Sequence, residues 1–522
     1  MGAYINRGND GFRSTRRREY VDKSGLIAVL NDTLETDIRY SCVTRCRRFG
    51  KSMAAKMLCA YYDQSCDSRS LFEDLEIASD PSFEEHLNKY PVIYLDMSDF
   101  VTEVKDASIV KIIQETLKED IHKAYPDVEM KEDESLMSFL VRVNEQTNQT
   151  FIFIIDEWDA ICREFEKEPE VMDEYVDWLR RLFKSGQTEK VFAGVYMTGI
   201  LPIKKYNTQS ALNNFREYSM VIPGKLSGYF GFTKDEVLKL TEKHGMDYGE
   251  LEKWYDGYRI GNVTSIFNPN SVIQALDNGA CQGYWASTGA YDAVSKYISK
   301  NFGGLKDDVL FLLSGGRVKV KTTKFANDLS TIKDRNDVLT VLIHLGYLSY
   351  DWKTRECYVP NLEVSEELSS AVEDTDWTNV SNALQDSEDL LEATLRGDEE
   401  AVAAALDAAH DENTSILSYN NENSLACVIS IAYYAARNDY ILHREMPAGK
   451  GFADLIFRPR NNVDKPALVV ELKKDKTAEA AIDQIKRKNY PVAVVDYLDN
   501  LLLVGINYDE KSKQHTCKIE KG

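Results

Sequence analysis

The nine residues from Thr44 to Ser52, "TRCRRFGKS", decide the reading of this 522-residue chain. An apolar run, "RYSCVT", ends at Thr44, and a helical-looking run extends from Met53 to Tyr62. Strand, loop and helix in that order are what a phosphate-binding loop requires. Backbone N–H groups converge at the helix N-terminus, a lysine neutralises phosphate oxygens, and a hydroxyl holds Mg²⁺. Gly50, Lys51 and Ser52 fit those roles. The first glycine of the usual pattern is missing, because the place five residues before Gly50 holds Arg45. Arg47 and Arg48 lie in the loop, where they either stabilise transferred charge or hold nearby carboxylates.

Further apolar runs follow: "YPVIYLDMS" (90–98), "TFIFIIDE" (150–157) and "KVFAGVYMTG" (190–199), with helical-looking segments between them such as Ile109 to Ala124. Alternating strand and helix predicts a parallel sheet covered on both faces. Ligands bind such sheets at the carboxyl ends of the strands. Asp156 and Glu157 close one buried strand, so Asp156 is the expected ligand of a Mg²⁺ water shell and Glu157 the base for an attacking water. Thr198, at the end of the next strand, is placed to sense a terminal phosphate. The plainer alternative is two carboxylates that solvate a strand end.

A second constellation lies near the C-terminus in "GKGFADLIFRPRNNVDKPALVVELKK", where sixteen residues separate Asp454 from Glu471-Leu472-Lys473. If "ADLIF" and "ALVVELK" pair as a hairpin, alternation puts Glu471 and Lys473 on one face. Asp454 can meet them there. Two carboxylates so placed bind one or two Mg²⁺ ions that activate water on a phosphodiester, and a lysine stabilises the developing charge. Glu422 is a candidate extra ligand. Lys474, Gln484, Lys486, Arg487 and Tyr490 are candidate nucleic-acid contacts. The plainer alternative is an edge strand with an ion pair between Glu471 and Lys473.

Composition bounds both readings. The 85 acidic and 63 basic residues leave a formal charge of −22, which excludes a protein that coats nucleic acid with its whole surface. The charge is uneven. Residues 1–60 carry a net +6 and 441–490 a net +4, whereas 361–412 hold sixteen acids against Arg396 alone, a net −15. That acidic segment has Ala and Leu at three- and four-residue steps, and reads as amphipathic helices forming either a solvated spacer or a surface that repels nucleic acid. The nine scattered cysteines form no CxxC pair and predict no zinc site or disulfide framework. No stretch approaches the ~20 apolar residues of a membrane helix. The expectation is a cytoplasmic protein with no membrane partner.

With these residues in view, the chain resembles bacterial AAA-ATPase-like proteins that carry a C-terminal PD-(D/E)XK nuclease domain. The resemblance rests on "EYVDKSGLI" (19–27), "RCRRFGKS" (45–52), "YPVIYLDMS" (90–98), "FIIDEWD" (153–159), "TGILPI" (198–203), "WYDGYRIG" (254–261), "FNP" (267–269), "HLGYLSYD" (344–351) and "GFADLIF…VVELKK". In that family an arginine-rich loop replaces the first glycine, and Cys46 stands where a proline is usual. The resulting expectation is an α/β multidomain chain. It comprises an AAA-like P-loop parallel-sheet ATPase domain (1–222), a helical lid (223–300), a winged-helix-like region (301–362), an acidic helical linker (363–412) and a restriction-endonuclease-like α/β domain (413–522). ATP and Mg²⁺ are the expected cofactors and DNA the expected partner, with homo-oligomer formation left open. The leading expectation is an ATP-regulated, Mg²⁺-dependent nuclease, and the family it resembles is thought of as a defence or mobile-element component. The alternative from another class is a nucleotide-dependent switch or scaffold whose C-terminal module only binds.

Overall fold

The computed structural model describes the chain except residues 1, 102–107, 132, 204, 207–208, 211, 286–301, 314, 327–328, 374–377, 414–428, 430–431, 449–450, 460–464, 489–496 and 498. Two compact units emerge: Met1–Ala290 with Lys319–Glu366, and Tyr291–Val318 with Glu367–Gly522.

The first unit is organised by five parallel strands: β1 (Tyr40–Thr44), β2 (Val92–Asp96), β3 (Phe151–Asp156), β4 (Phe192–Gly199) and β5 (Arg216–Tyr218). Their order across the sheet is β2-β3-β4-β1-β5. The short β5 has no apolar run to announce it. Every residue of β1, β3 and β4 is buried, because both faces are covered. Phe151, Phe153 and Ile155 pack one way, against Ile113, Leu140 and Leu179 from the helices Ile109–Ala124, Leu136–Thr147 and Pro169–Phe183. Ile152 and Ile154 pack the other way, with Ala54 and Leu58 of α1 (Lys51–Tyr62). Asp156 is therefore on the α1 side of the sheet by strand alternation. Pairing of Val43 with Thr198 and of Asp96 with Asp156 brings the strand ends level.

Beyond the sheet, the helices Lys234–His244, Tyr248–Tyr255 and Pro269–Asn278 share a small core in which Tyr255 is fully buried. The region read as winged-helix-like contains the helix Arg335–Leu345, a turn at Gly346 (φ 95°) and an antiparallel hairpin of Ser349–Asp351 with Glu356–Tyr358. Gly346 is required there, since a side-chain carbon would lie 2.5 Å from Cys46 Cβ.

The second unit holds a five-stranded sheet in sequential order: β6 (Tyr440–Ala448), β7 (Gly451–Pro459), β8 (Ala467–Lys474), β9 (Leu501–Asp509) and β10 (Gln514–Lys521). Only β8 and β9 run parallel, joined across α2 (Ala478–Lys488). Ala467 and Val469 pack with Ile482 and Ile485 of α2. Leu468, Val470 and Leu472 face the opposite core, which contains Leu390, Leu391, Val402 and Leu406. Those four belong to the helices Thr378–Arg396 and Glu399–Asn413, within the segment expected to be a linker. The linker expectation is corrected on this point: the segment supplies one face of the C-terminal core. Counting charge hides the apolar stripe that does this. Asp407 accepts from the His515 backbone N–H (2.7 Å), and Glu399 from the Ile519 N–H (3.0 Å), so its acids also cap edge strand β10.

Candidate functional sites

The phosphate loop leaves β1 at Thr44 and enters α1 at Gly50, whose φ of 87° closes the turn. Nothing lies within 4 Å of where a Gly50 side chain would begin, so the loop is open on that side. Lys51 is buried and donates from Nζ to the Cys46 carbonyl at 3.1 Å, lying across the loop. Phe49 is buried edge-on to Tyr258, and the Tyr258 hydroxyl donates to the Gly346 carbonyl at 2.8 Å. Arg45, at the missing-glycine position, is fully buried and turns away from the open side. It donates to the carbonyls of Thr44 (2.8 Å), Tyr218 (2.7 Å) and Leu226 (3.3 Å). Arg45 thus ties the loop to β5 and the segment after it. Arg48 is exposed and donates to the Tyr284 carbonyl at 2.7 Å.

Asp156 is fully buried at the end of β3. Its oxygens accept from the Tyr94 hydroxyl (3.2 Å) and the Glu157 N–H (3.0 Å), and the Ser52 hydroxyl also supports its charge. Burial nevertheless pushes its pKa up to about 6, against the help from Ser52 and with Asp96 and Glu157 adding repulsion. A desolvated, under-compensated carboxylate beside a hydroxyl suits a hard divalent cation, so the donor set fits Mg²⁺. Thr198 is fully buried at the end of β4, beside β1.

Glu157 follows with a left-handed backbone (φ 50°), a conformation disfavoured for a side-chain-bearing residue. Its carboxylate pairs with Arg163. Arg163 also donates from Nε to Asp159 at 3.0 Å, and the fully buried Asp159 accepts the N–H groups of Ile200 (3.1 Å) and Leu201 (2.9 Å). Tyr94, Asp96, Asp159 and Arg163 belong to the site without a role among the sequence expectations. The i, i+4 spacing of Asp159 and Arg163 was the available signal.

In the second unit, β8 turns Glu471 and Lys473 toward α2, and both are buried. Lys473 Nζ donates to Glu471 Oε1 at 2.7 Å and to the Leu472 carbonyl at 2.9 Å. Gln484 of α2 donates to the same carboxylate oxygen. Leu455 pairs with Val470 and Ile456 with Val469, and continuing this register one place sets Asp454 across from Glu471. The Asp454 side chain, Glu422 and Tyr490 lie outside the described residues. Gln484, expected as a nucleic-acid contact, is engaged at the carboxylate because its helix packs on that face. Lys474 pairs with Glu510 at 3.0 Å and Lys486 with Glu520, so part of the basic surface is neutralised in place. Arg487 is exposed. Among the described residues no three His, Cys, Asp or Glu side chains converge as a metal cluster, and no helix is long and apolar enough to cross a membrane.

Two parts of the chain match known families. The family described as predicted AAA-ATPase matches residues 8–208, and the PD-(D/E)XK nuclease superfamily matches residues 420–518. An uncharacterized protein in the vnfD 5′ region of Azotobacter chroococcum mcd 1 is 24% identical over 277 residues, covering 52% of this chain and 50% of that protein. The match therefore spans about half the length of that curated relative. Among solved structures, Cdc6p from Pyrobaculum aerophilum aligns at 11% identity and a TM-score of 0.26, over 71% of this chain and 99% of its own. The Aeropyrum pernix ORC1 protein in complex with DNA aligns at 11% identity and 0.27, over 71% and 98%.

Proposed function

From a chain that joins an AAA-ATPase-like domain (8–208) to a PD-(D/E)XK nuclease-superfamily domain (420–518), we propose an ATP-binding and ATP-hydrolysing protein whose nucleotide state regulates Mg²⁺-dependent cleavage of DNA phosphodiester bonds. The observation that carries the first half is the buried Asp156 carboxylate, raised by desolvation, beside the Ser52 hydroxyl and the open phosphate loop. Lys51 would leave the Cys46 carbonyl for phosphate oxygens, Ser52 and Asp156 would hold Mg²⁺, and Thr198 would border the terminal phosphate. Mg²⁺ bound there supplies neutralisation of the phosphate charge. Glu157 is the base available to take a proton from water. In the C-terminal domain Asp454 and Glu471 would hold the metal, while Lys473 orients Glu471 and supplies positive charge at the scissile phosphate.

The test is a panel of single- and double-stranded DNA and RNA, assayed with ATP and Mg²⁺ varied. Cleavage of DNA that requires Mg²⁺, responds to ATP and disappears in Lys473→Ala supports the reading. Cutting that ignores ATP on every substrate removes the regulation. A switch or scaffold is favoured by one observation, that Glu471 Oε1 already accepts from both Lys473 and Gln484. Calorimetric titration with Mn²⁺ decides between them: binding that is lost in Glu471→Gln supports the nuclease, and binding unchanged in that variant supports the scaffold.

A further inference from the structure

At the mouth of the phosphate loop the charges form a compact set. Arg163 bridges two carboxylates, Glu157 through one terminal nitrogen and Asp159 through Nε. Asp159 is fixed, with no solvent exposure and two backbone N–H donors besides. Glu157 is less constrained: its side chain is 24% exposed and its φ of 50° is a strained backbone setting. Arg47 of the loop is half-buried and within electrostatic reach of the same groups. Burial lowers its pKa first and repulsion by Arg163 next, while Glu157 and Asp159 act in the opposite sense. Two guanidinium groups thus share Glu157 as their adjustable anion. A phosphate arriving at the loop brings a second anion to that place, and a planar guanidinium matches phosphate oxygens as well as it matches a carboxylate.

We propose that Arg163 reads the terminal phosphate: its guanidinium stays anchored to Asp159 and is contested between Glu157 and the third phosphate of a nucleoside triphosphate. A triphosphate draws the terminal nitrogen of Arg163 and releases Glu157. A diphosphate, one phosphate shorter, leaves the Arg163–Glu157 pair in place. Arg163 is then the group that distinguishes the two nucleotides, and Glu157 becomes available only when the substrate is complete. This inference rests on the nucleotide-site reading above.

Calorimetric titration of the full chain with Mg²⁺-ADP and with a Mg²⁺-bound non-hydrolysable ATP analogue tests it. In Arg163→Gln, ADP affinity should stay within about twofold while the analogue weakens by about tenfold, a difference of ~1.4 kcal/mol. In Glu157→Gln, where the competitor's charge is gone, analogue affinity should rise several-fold and ADP affinity should not change. Arg163→Lys, which keeps the charge but loses the fork, should lose most of the discrimination while remaining folded. A triphosphate-to-diphosphate ratio in both Arg163 variants equal to that of the parent overturns the proposal, as does an equal fall in both affinities, which marks a structural clamp. The nucleotide-site reading fails separately, and takes this proposal with it, if the parent binds neither nucleotide or if Lys51→Ala binds both as the parent does.

Discussion

Replacing Asp156 by Asn should stabilise the first unit while removing its response to Mg²⁺-nucleotide. Burial lifts the Asp156 pKa from an ordinary 3.8 to about 6. The folded state therefore holds its proton more tightly than the unfolded chain, and stability falls as pH rises from about 4 to about 6 and levels off above. At about 1.4 kcal/mol per pH unit the cost of the charged form is about 3 kcal/mol at pH 7.5. Asn carries no charge and keeps one acceptor oxygen for either the Tyr94 hydroxyl or the Glu157 N–H. The lost hydrogen bond offsets roughly 1 kcal/mol, leaving a gain of about 2 kcal/mol. For a unit comprising Met1–Ala290 and Lys319–Glu366 that is on the order of 3 °C in midpoint. Thermal unfolding without nucleotide, followed at pH 4 and pH 7.5, should show the variant level with or below the parent at pH 4 and above it at pH 7.5. Adding Mg²⁺ and ATP should raise the parent by mass action and leave the variant unmoved. A variant that melts below the parent at pH 7.5, or whose advantage does not change with pH, refutes the account of Asp156 as an under-compensated carboxylate.

Three further outcomes follow from the same structure. Arg45→Gly, which restores the usual loop glycine, should destabilise the first unit by about 3 kcal/mol in urea unfolding and leave nucleotide affinity no better, because three buried carbonyls lose their donor. Lys473→Met should cost the second unit ~3–5 kcal/mol by stranding Glu471, and adding Glu471→Gln should recover most of that loss; a double variant no more stable than the single would show that the pair is not coupled. Val402→Ala and Leu406→Ala, fully buried in the C-terminal core, should each lower its stability, by roughly 1–2 and 2–5 kcal/mol respectively, whereas a spacer would tolerate both.

The parts of this molecule that were legible in sequence are those whose chemistry is local. The strand, loop and helix around Lys51 span fewer than thirty residues, and the alternation that sets Glu471 and Lys473 on one face is a two-residue rule. What was not legible depends on partners far along the chain. Arg45 reads as a phosphate-loop arginine, yet its acceptors Tyr218 and Leu226 lie more than 170 residues away. The insertion of β4 between β1 and β3 is a matter of crossovers that no local pattern encodes. In 361–412 the sixteen acids dominate any count, but the fold is decided by the few Leu, Val and Ala residues beneath them. The overall charge of −22 thus includes acids that cap β10 through Glu399 and Asp407, and it is a poor guide to which surface meets nucleic acid.

Both candidate centres place a buried carboxylate near the end of a buried strand, on the face turned to the helix that completes the site, and both bring a lysine close. They differ in how the charge is balanced. Glu471 has the Lys473 ammonium at 2.7 Å and the Gln484 amide on the same oxygen, so its negative charge is already matched within the protein. Among the described residues Asp156 has hydroxyls and a backbone N–H at its oxygens, and the Lys51 ammonium, turned to the Cys46 carbonyl, supports its charge less than Ser52 does. A metal at Asp156 therefore adds charge that the surroundings of the carboxylate supply in part, whereas a metal at Glu471 joins a carboxylate that already holds the Lys473 ammonium on Oε1. Cation binding at the first centre should be coupled to stability and to pH more strongly than at the second. The two centres can then answer to different concentrations of the same ion.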